Sequence, residues 1–258
     1  MHPLLFEYKF LKLHTYGFFI VVGFLCGLFL MRRKAEKLKW NLEHVSDVAF
    51  WALLGGFVDG RILYIITRWS EYSSSPLEMF KFWEGGLVFY GGFIGGLLTF
   101  IWRANKYKIP VLQFLDLTAP TLAIGHAFGR IGCFMAGCCF GKSIPADNPF
   151  AVIFTNPLSI APLNQPLHAT QLYDAFNAFT VFLILQYLYP RRKFLGQICA
   201  TYGILYSVGR YIVENFRGDK IRGFLIENVL STSQFISIGI FLFSAFLYIH
   251  YRRLNRKA

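Results

Sequence analysis

Three arginines of this chain, Arg61, Arg130 and Arg210, fall inside or at the end of long apolar stretches. An arginine at the centre of a membrane-spanning helix costs at least about 2.5–3.5 kcal/mol on insertion scales, so each one needs a partner. Asp59 lies two residues before Arg61, and Glu214 follows Arg210 by four residues, which places both side chains on one helix face. Two interpretations are open. The arginines form structural ion pairs inside a helix bundle, or they bind an anionic group such as a lipid phosphate, which suits the planar guanidinium.

The segment 125–141 has an unusual composition, with five glycines, three cysteines, His126 and Arg130. Glycine allows turns that bring backbone N–H groups against a ligand. We therefore expect a glycine-rich turn at the end of an apolar helix, which together with Arg130 forms a cradle for an anion. The alternative is a tight re-entrant loop in which glycine only allows close packing.

Cys133, Cys138 and Cys139 belong to the same segment and have three interpretations. A zinc site would need a fourth ligand, such as His126 or His168, and the spacing matches no standard zinc finger. A disulfide is compatible with an oxidising outer compartment. Packing as small apolar side chains is the default for free cysteines, so no metal is expected here.

The composition indicates which elements must position these residues. Of the 258 residues, 55% are hydrophobic, 19% aromatic and 16% charged, whereas soluble domains carry roughly 25% charged residues. This excludes an ordinary soluble domain, a disordered chain and a disulfide-dense secreted scaffold. Because a bilayer core needs about 20 mostly apolar residues per helix, we predict an all-α, polytopic membrane protein with about seven transmembrane helices. These spans are 16–31, 48–66, 85–102, 111–128, 169–190, 194–214 and 234–251. Glycine pairs at 55–56, 91–92 and 95–96 predict close contacts between helices.

The 26 lysines and arginines are distributed unevenly between the predicted loops. Fifteen of them follow the first, third, fifth and seventh spans, and the positive-inside rule places these ends in the cytoplasm. The N-terminus is then outside, the C-terminus is cytoplasmic, and segment 130–168 forms an outward loop or arm. The other side carries Lys9, Lys12, Arg68, Lys81, Lys142, Arg217, Lys220 and Arg222. The cytoplasmic clusters fit anionic lipid headgroups, so membrane lipids rather than nucleic acid are the expected partners of the positive charge.

Six motifs, in order over nearly the whole chain, resemble the prolipoprotein diacylglyceryl transferase family. The segment Gly129-Arg-Ile-Gly-Cys-Phe-Met-Ala-Gly-Cys-Cys-Phe-Gly141 is similar to the family signature, a Gly-Arg-x-Gly-Asn-Phe core followed by a further glycine. The others are His14-Thr-Tyr-Gly17, Gly60-Arg61, Phe89-Tyr-Gly-Gly92, His168-Ala-Thr-Gln-Leu-Tyr-Asp174, and Tyr206 through Arg210 to Glu214 followed by Phe216-Arg217. Each motif alone is weakly specific, whereas six in the family's order are strongly specific.

The resemblance implies an enzyme of the bacterial cell (inner) membrane, with a single membrane-embedded domain over residues 1–258 and no cofactor. Such an enzyme transfers diacylglyceryl from phosphatidylglycerol to the lipobox cysteine thiol in the signal peptide of a prolipoprotein, and glycerol phosphate leaves. Arg130 and Arg210 match the family arginines expected at the headgroup, with Tyr206 and Glu214 on the same helix as Arg210. The substrate-binding positions carried over are His14, Tyr16, Arg61, Gly132, Gly141, His168 and Asp174.

Four positions depart from the family pattern, of which Asp174 replaces a glutamate conservatively and Tyr90 affects the choice of base for the acceptor thiol. Tyr90 stands where the family has a histidine that is its favoured base, and a tyrosine phenol is a poor base near neutral pH. Tyr90 stays a catalytic candidate, and His126, four residues before Arg130, is the candidate replacement for the base. Cys133 and Cys138 stand in place of an asparagine and a glutamate. These departures leave open a related transferase with another acceptor or lipid donor. An anion transporter is a third alternative, although the two halves show no internal repeat.

Overall fold

The computed structural model describes residues 1–8, 11–73, 76–80, 86–219, 223–226 and 230–257. The chain is mostly helical and forms two compact units: residues 1–30 with 115–258, and residues 31–114. Its helices are α1 Thr15–Lys37, α2 Leu42–Thr67, α3 Trp69–Tyr72, α4 Phe89–Lys106, α5 Val111–Ala136, α6 Thr170–Leu188, α7 Gln197–Glu214 and α8 Thr232–Lys257. Short 3-10 turns lie at Pro76–Phe80 and Tyr189–Arg191.

The first unit contains antiparallel hairpins that lead into long helices. The paired strands are β1 Leu4–Tyr8 with β2 Leu11–His14, β3 Ala151–Ile153 with β4 Pro166–His168, and β5 Phe224–Ile226 with β6 Leu230–Ser231. Strand β2 continues directly into α1, β4 ends one residue before α6, and β6 continues directly into α8. At the last junction Ser231 Oγ accepts from the Gln234 N–H at 3.1 Å, and Gln234 Oε1 accepts from the Ser231 N–H at 3.0 Å. This reciprocal pair is a capping box, which fixes where α8 begins.

The core of the first unit lies between α5, α6 and α7. Its buried members are small or branched apolar residues, Ala119, Ala123, Val181, Leu185 and Ile198. The fully buried Asp116 of α5 accepts hydrogen bonds from the N–H groups of Gly196 and Cys199, at 2.8 and 2.9 Å. A carboxylate at these positions satisfies free N–H groups and the positive end of the helix dipole, so Asp116 caps α7 from another helix.

The second unit is built on the packing of α2 against α4. A Cβ added at Gly56 would lie 2.8 Å from the Gly92 carbonyl oxygen, and one at Gly96 would lie 3.1 Å from that of Ala52. The prediction that the glycine pairs mark close helix contacts is confirmed. Arg103, assigned from the sequence to a cytoplasmic loop cluster, is buried in α4 and pairs with Asp47 at 2.9 Å.

The length and composition of the helices support the prediction of a membrane protein. Helices α1, α2 and α8 are long and apolar enough to cross a bilayer. On α1, Val21, Leu25 and Phe29 stand four residues apart and are each more than half exposed, so they form an apolar face that the surrounding chain leaves uncovered. Each of the seven predicted spans overlaps a helix of at least 18 residues, α1, α2 and α4 to α8. Gly85, at which the third predicted span begins, and the basic residues Lys9, Lys81, Lys220 and Arg222 lie outside the described residues.

The expectation of a glycine-rich turn around Arg130 is wrong. Helix α5 continues to Ala136, and the turn begins only at Gly137. An isolated glycine lowers the stability of a helix by about 1 kcal/mol relative to alanine. In this helix, however, the contact between α5 and α1 requires glycine. A Cβ at Gly132 would lie 3.2 Å from Tyr16 Cα of α1. The glycines of this segment therefore bring two helices together instead of opening a loop.

Candidate active site

One carboxylate oxygen of Asp174 on α6 lies close to two arginines, Arg130 on α5 and Arg210 on α7. Asp174 Oδ2 lies 3.0 Å from Arg130 Nε and 3.6 Å from Arg210 Nη1. The Asp174 side chain is 2% exposed, and those of Arg130 and Arg210 are 17% and 10% exposed. The bundle thus holds two guanidinium groups together in a region sheltered from bulk water, where charge interactions are stronger than at the surface.

Glu214 completes the charge balance of this cluster. Its Oε2 lies 2.9 Å from Arg210 Nη2, which confirms that the four-residue spacing places both side chains on one helix face. The same Arg210 nitrogen donates to Ser233 Oγ of α8 at 3.1 Å. Two arginines and two carboxylates make the cluster formally neutral, and because breaking a buried pair costs about 3–5 kcal/mol, all four charges are held in place.

Several polar atoms at this cluster are buried without a hydrogen-bond partner in the described part of the chain. They are Asp174 Oδ1, Arg210 Nη1 and Gln171 Oε1. Arg130 makes its contacts with His126 and Asp174 through Nε, and no described residue bonds its two terminal nitrogens. An unsatisfied buried donor or acceptor costs about 1–3 kcal/mol. A ligand with anionic oxygens for the arginines and hydroxyl groups for Asp174 would satisfy both kinds of atom.

His126 is engaged by Arg130. Its Nε2 accepts a hydrogen bond from Arg130 Nε at 3.0 Å, one helical turn away. The Tyr206 ring lies beside it, with ring centroids 5.6 Å apart. Because the lone pair of Nε2 already faces a cation, this geometry makes His126 a residue that positions Arg130. Its predicted role as base stays a prediction.

Hydrogen bonds connect the segment after α5 to the start of α6. Thr170 Oγ1 donates to the Cys139 carbonyl at 2.8 Å, and Gln171 Nε2 donates to the Cys138 carbonyl at 2.7 Å. Gly137 and Cys139 both adopt left-handed backbone, with φ of 74° and 59°. For a residue with a Cβ this conformation costs about 1–2 kcal/mol, and the two side-chain bonds from α6 offset it.

All five cysteines are free thiols, and three of them are neighbours. The sulfur atoms of Cys133, Cys138 and Cys139 all lie within 4.8 Å of one another. Hydrogen bonds from Cys133 and Cys138 lower the pKa of the Cys139 thiol, and the positive charges of Arg217 and Arg130 lower it further. These contacts favour the thiolate form of Cys139, one of the three thiols.

His168 and Gly141 take structural positions at the edge of the site. His168 Nδ1 lies 3.0 Å from the Tyr173 hydroxyl, and the His168 carbonyl accepts from the Gly141 N–H at 3.0 Å. A Cβ at Gly141 would lie 2.4 Å from His168 Cβ, so only glycine fits between this strand and the segment at Phe216.

Tyr16 and His14 lie where the first hairpin meets α1. His14 pairs with Leu4 and is exposed, and Tyr16 is 43% exposed. Tyr16 packs against Gly132 of α5, which follows Arg130 by two residues. The structure thus brings Tyr16 and Gly132 together in the same unit as the arginine cluster.

Arg61 and Tyr90 belong to the second unit. Arg61 is buried, and its guanidinium donates to the main-chain carbonyls of Glu78, Met79 and Gly86 at 3.1–3.3 Å. Arg61 therefore ties the segment after α3 to α2. Tyr90 lies in the first turn of α4 and is 45% exposed.

Three residues of the site were not singled out from the sequence. Ser233 bonds Arg210, Gln171 bonds the Cys138 carbonyl, and the buried Arg217 pairs with Asp219 at 2.9 Å. Arg217 was assigned to the outward basic residues, and nothing in its spacing indicated burial. Gln171 lies inside the motif that ends at Asp174, which was its only signal.

Comparisons with known proteins point to one family of enzymes. The sequence model described as prolipoprotein diacylglyceryl transferase matches residues 3–250. A phosphatidylglycerol–prolipoprotein diacylglyceryl transferase of Clostridium tetani is 41% identical over 95% of this chain and 97% of its own length. The second such enzyme of Clostridium perfringens is 37% identical over 92% and 91%, and that of Shewanella oneidensis 34% over 91% and 87%. Because the family model matches nearly the whole chain and these relatives are at least 34% identical to it over most of their lengths, the chain belongs to the prolipoprotein diacylglyceryl transferase family.

Proposed function

We propose that this protein transfers diacylglyceryl from phosphatidylglycerol to the lipobox cysteine of prolipoproteins, with release of glycerol phosphate. One observation carries the proposal: two arginines on different helices contact one carboxylate oxygen, while in the described part of the chain Arg210 Nη1 and the terminal nitrogens of Arg130 form no hydrogen bond. These nitrogens supply donors for a phosphate, and Asp174 Oδ1 accepts from a headgroup hydroxyl. Phosphatidylglycerol offers both groups on one headgroup.

The chemistry follows from this placement. The acceptor sulfur attacks a glycerol carbon, and the C–O bond to the phosphate breaks. Arg130 and Arg210 stabilise the negative charge that grows on the leaving phosphate, which is where fixed cations contribute most to the rate. Tyr206 borders the cluster, and Glu214 holds Arg210 in the orientation required. His126 positions Arg130, and His126 and Tyr90 stay candidates for the proton transfer. Arg61, His14, Tyr16, His168, Gly132 and Gly141 shape the site or its approach.

We also propose how the chain sits in the membrane. All seven long helices span the inner membrane, with the N-terminus outside and the C-terminus in the cytoplasm. The basic residues at one end of α1, α4 and α8 and in the segment between α6 and α7 support this orientation. The arm that follows Ala136 then faces outward, on the side where an exported prolipoprotein arrives. The whole chain acts as one membrane-embedded transferase domain.

Complementation tests the function. The gene is expressed in a bacterial strain depleted of its own transferase, and a lipoprotein is analysed for diacylglyceryl by mass spectrometry. The native chain should restore the modification, whereas Arg130→Ala and Arg210→Ala should abolish it at equal membrane levels. Arg68→Ala is the matched control, because this arginine is exposed and its ion pair with Glu71 lies at the surface. Lack of modification by a correctly inserted native chain would overturn the proposal.

The same membranes distinguish the related-transferase alternative. If the lipid profile changes while lipoproteins stay unmodified, the donor or acceptor differs from the one proposed. A change confined to lipoproteins excludes that alternative.

A further inference from the structure

The three-cysteine cluster has a geometry that packing alone does not require. Cys133 lies in the last turns of α5, whereas Cys138 and Cys139 follow the turn at Gly137, and their sulfurs come within 4.8 Å of one another. In a tetrahedral site with metal–sulfur bonds of about 2.3 Å, sulfur atoms lie about 3.8 Å apart. Movements of about 1 Å or less would therefore place the three sulfurs around one ion.

The backbone of this cluster is held in an unfavourable conformation by contacts with α6. Cys139 has a left-handed φ of 59°, which is unfavourable for a residue with a Cβ, and Thr170 and Gln171 hold its segment from α6. The Cys133 carbonyl accepts from the Cys138 N–H at 3.1 Å and closes the turn. Strained backbone persists where surrounding structure enforces it, and it concentrates at functional positions.

The neighbouring charges fit an anionic metal complex. Three thiolates around a divalent ion carry a net charge of −1. Cys133 follows Arg130 by three residues, which puts it on the same helix face. Arg217 also acts electrostatically on this cluster. Two arginines close to the complex offset its negative charge.

We propose that Cys133, Cys138 and Cys139 bind one thiophilic d10 cation, with zinc as the expected ion, and that its fourth position is open to a thiolate. Among the described residues, the group of potential ligand atoms within 4.8 Å of one another contains these three cysteines and neither His126 nor His168. A zinc site with three protein ligands and one exchangeable position is the arrangement that binds and activates a substrate group.

The fourth ligand we infer is the thiol of the acceptor cysteine, and this part rests on the proposed function. When the thiol binds, its proton is released to solvent and the metal holds the sulfur as thiolate. The sulfur then attacks the glycerol carbon, and the C–O electron pair leaves with the phosphate. The product is a thioether, which is a weaker ligand than a thiolate and dissociates. A metal would thus activate the thiol, a task for which His126 is poorly placed.

The first test is metal content. The full chain is purified in detergent under reducing conditions without an affinity tag, loaded with zinc, passed over a chelating resin and analysed by elemental mass spectrometry. We expect one zinc per chain, and at least about tenfold weaker retention in Cys133→Ser, Cys138→Ser and Cys139→Ser. The matched control is the Cys26→Ser/Cys199→Ser double variant, which removes the two thiols outside the cluster and should bind fully. Absence of zinc from the wild type, or retention in the three single variants, would overturn the site.

The wild type also provides a test that needs no substitution. Zinc should protect Cys133, Cys138 and Cys139 from alkylation by maleimide, read by peptide mass spectrometry, and leave Cys26 and Cys199 unchanged. Recovery of the cluster as a disulfide under the same reducing conditions would contradict the proposal.

Cobalt in place of zinc reports on the fourth ligand. A lipobox peptide should change the visible spectrum of the cobalt protein, and the same peptide with serine in place of its cysteine should not. Equal responses to both peptides would refute the role for the acceptor thiol. Complementation by the native chain is independent of these readouts, so the metal proposal can fail while the transferase function stands.

Discussion

The conversion of Arg130 to lysine separates the guanidinium's geometry from its charge. Arg130 uses Nε for both Asp174 and His126, and its two terminal nitrogens have no bond to a described residue. Lysine keeps the positive charge but has a single nitrogen, so it cannot contact Asp174 and bind two phosphate oxygens together. The Arg130→Lys variant should therefore fold and yet lose the paired hydrogen bonds to the headgroup.

The size of the loss follows from these contacts. A hydrogen bond to a charged group contributes about 2 kcal/mol, so loss of two costs about 4 kcal/mol. At about 1.4 kcal/mol for each factor of ten, kcat/KM should fall about a thousandfold. Arg103→Lys is the control, because Arg103 is a buried arginine with a carboxylate partner at 2.9 Å, in the other unit.

The assay measures transfer from phosphatidylglycerol vesicles to a fluorescent lipobox peptide by purified protein. The unfolding temperature of each variant is measured in the same detergent. We expect the unfolding temperature of Arg130→Lys to stay close to that of the wild type. A kcat/KM within about threefold of wild type would refute bidentate phosphate binding by Arg130. An equal loss in Arg103→Lys would show that any buried arginine produces the effect.

Three other substitutions probe the surroundings of the site. Arg61→Ala removes the hydrogen bonds to the carbonyls of Glu78, Met79 and Gly86 and should destabilise the protein by about 2–4 kcal/mol, seen as a lower unfolding temperature; an unchanged temperature would argue against the structural role. Gly132→Ala should cost about 1–3 kcal/mol because its Cβ meets α1 at 3.2 Å, whereas the Cβ of Gly17→Ala would have no tertiary neighbour within 4 Å among the described residues, so that this variant should be neutral or stabilising. Equal stabilities of the two variants would contradict this packing. Tyr90→Phe removes one hydroxyl from a half-exposed ring, so kcat/KM should fall less than about tenfold; a loss as large as that of Arg130→Ala would make Tyr90 essential.

Local spacing in the sequence was sufficient to predict part of the site. The Arg210–Glu214 pair follows from helix periodicity, since residues four apart stand on one face whatever surrounds the helix. The long apolar stretches likewise predicted the positions of the long helices, because apolar length is a local property. The ordered motifs led to the family, with Arg130 and Arg210 as its main candidates.

The contacts between helices could not be predicted from local spacing. Asp174 serves both Arg130 and Arg210 only because α5, α6 and α7 pack at a particular depth and rotation. The turn expected around Arg130 was wrong because packing against α1 stabilises a helix that glycine propensity disfavours.

The cysteines show most clearly what only the tertiary structure decided. Their spacing matched no zinc finger, so the sequence favoured packing. A helix end, a left-handed turn and two hydrogen bonds from α6 bring the sulfurs together. The sequence by itself determined that the chain is an apolar, helical transferase with arginines inside it. The fold decided which carboxylate those arginines share and which thiols meet, because such distances depend on how separate helices pack and not on spacing along the chain.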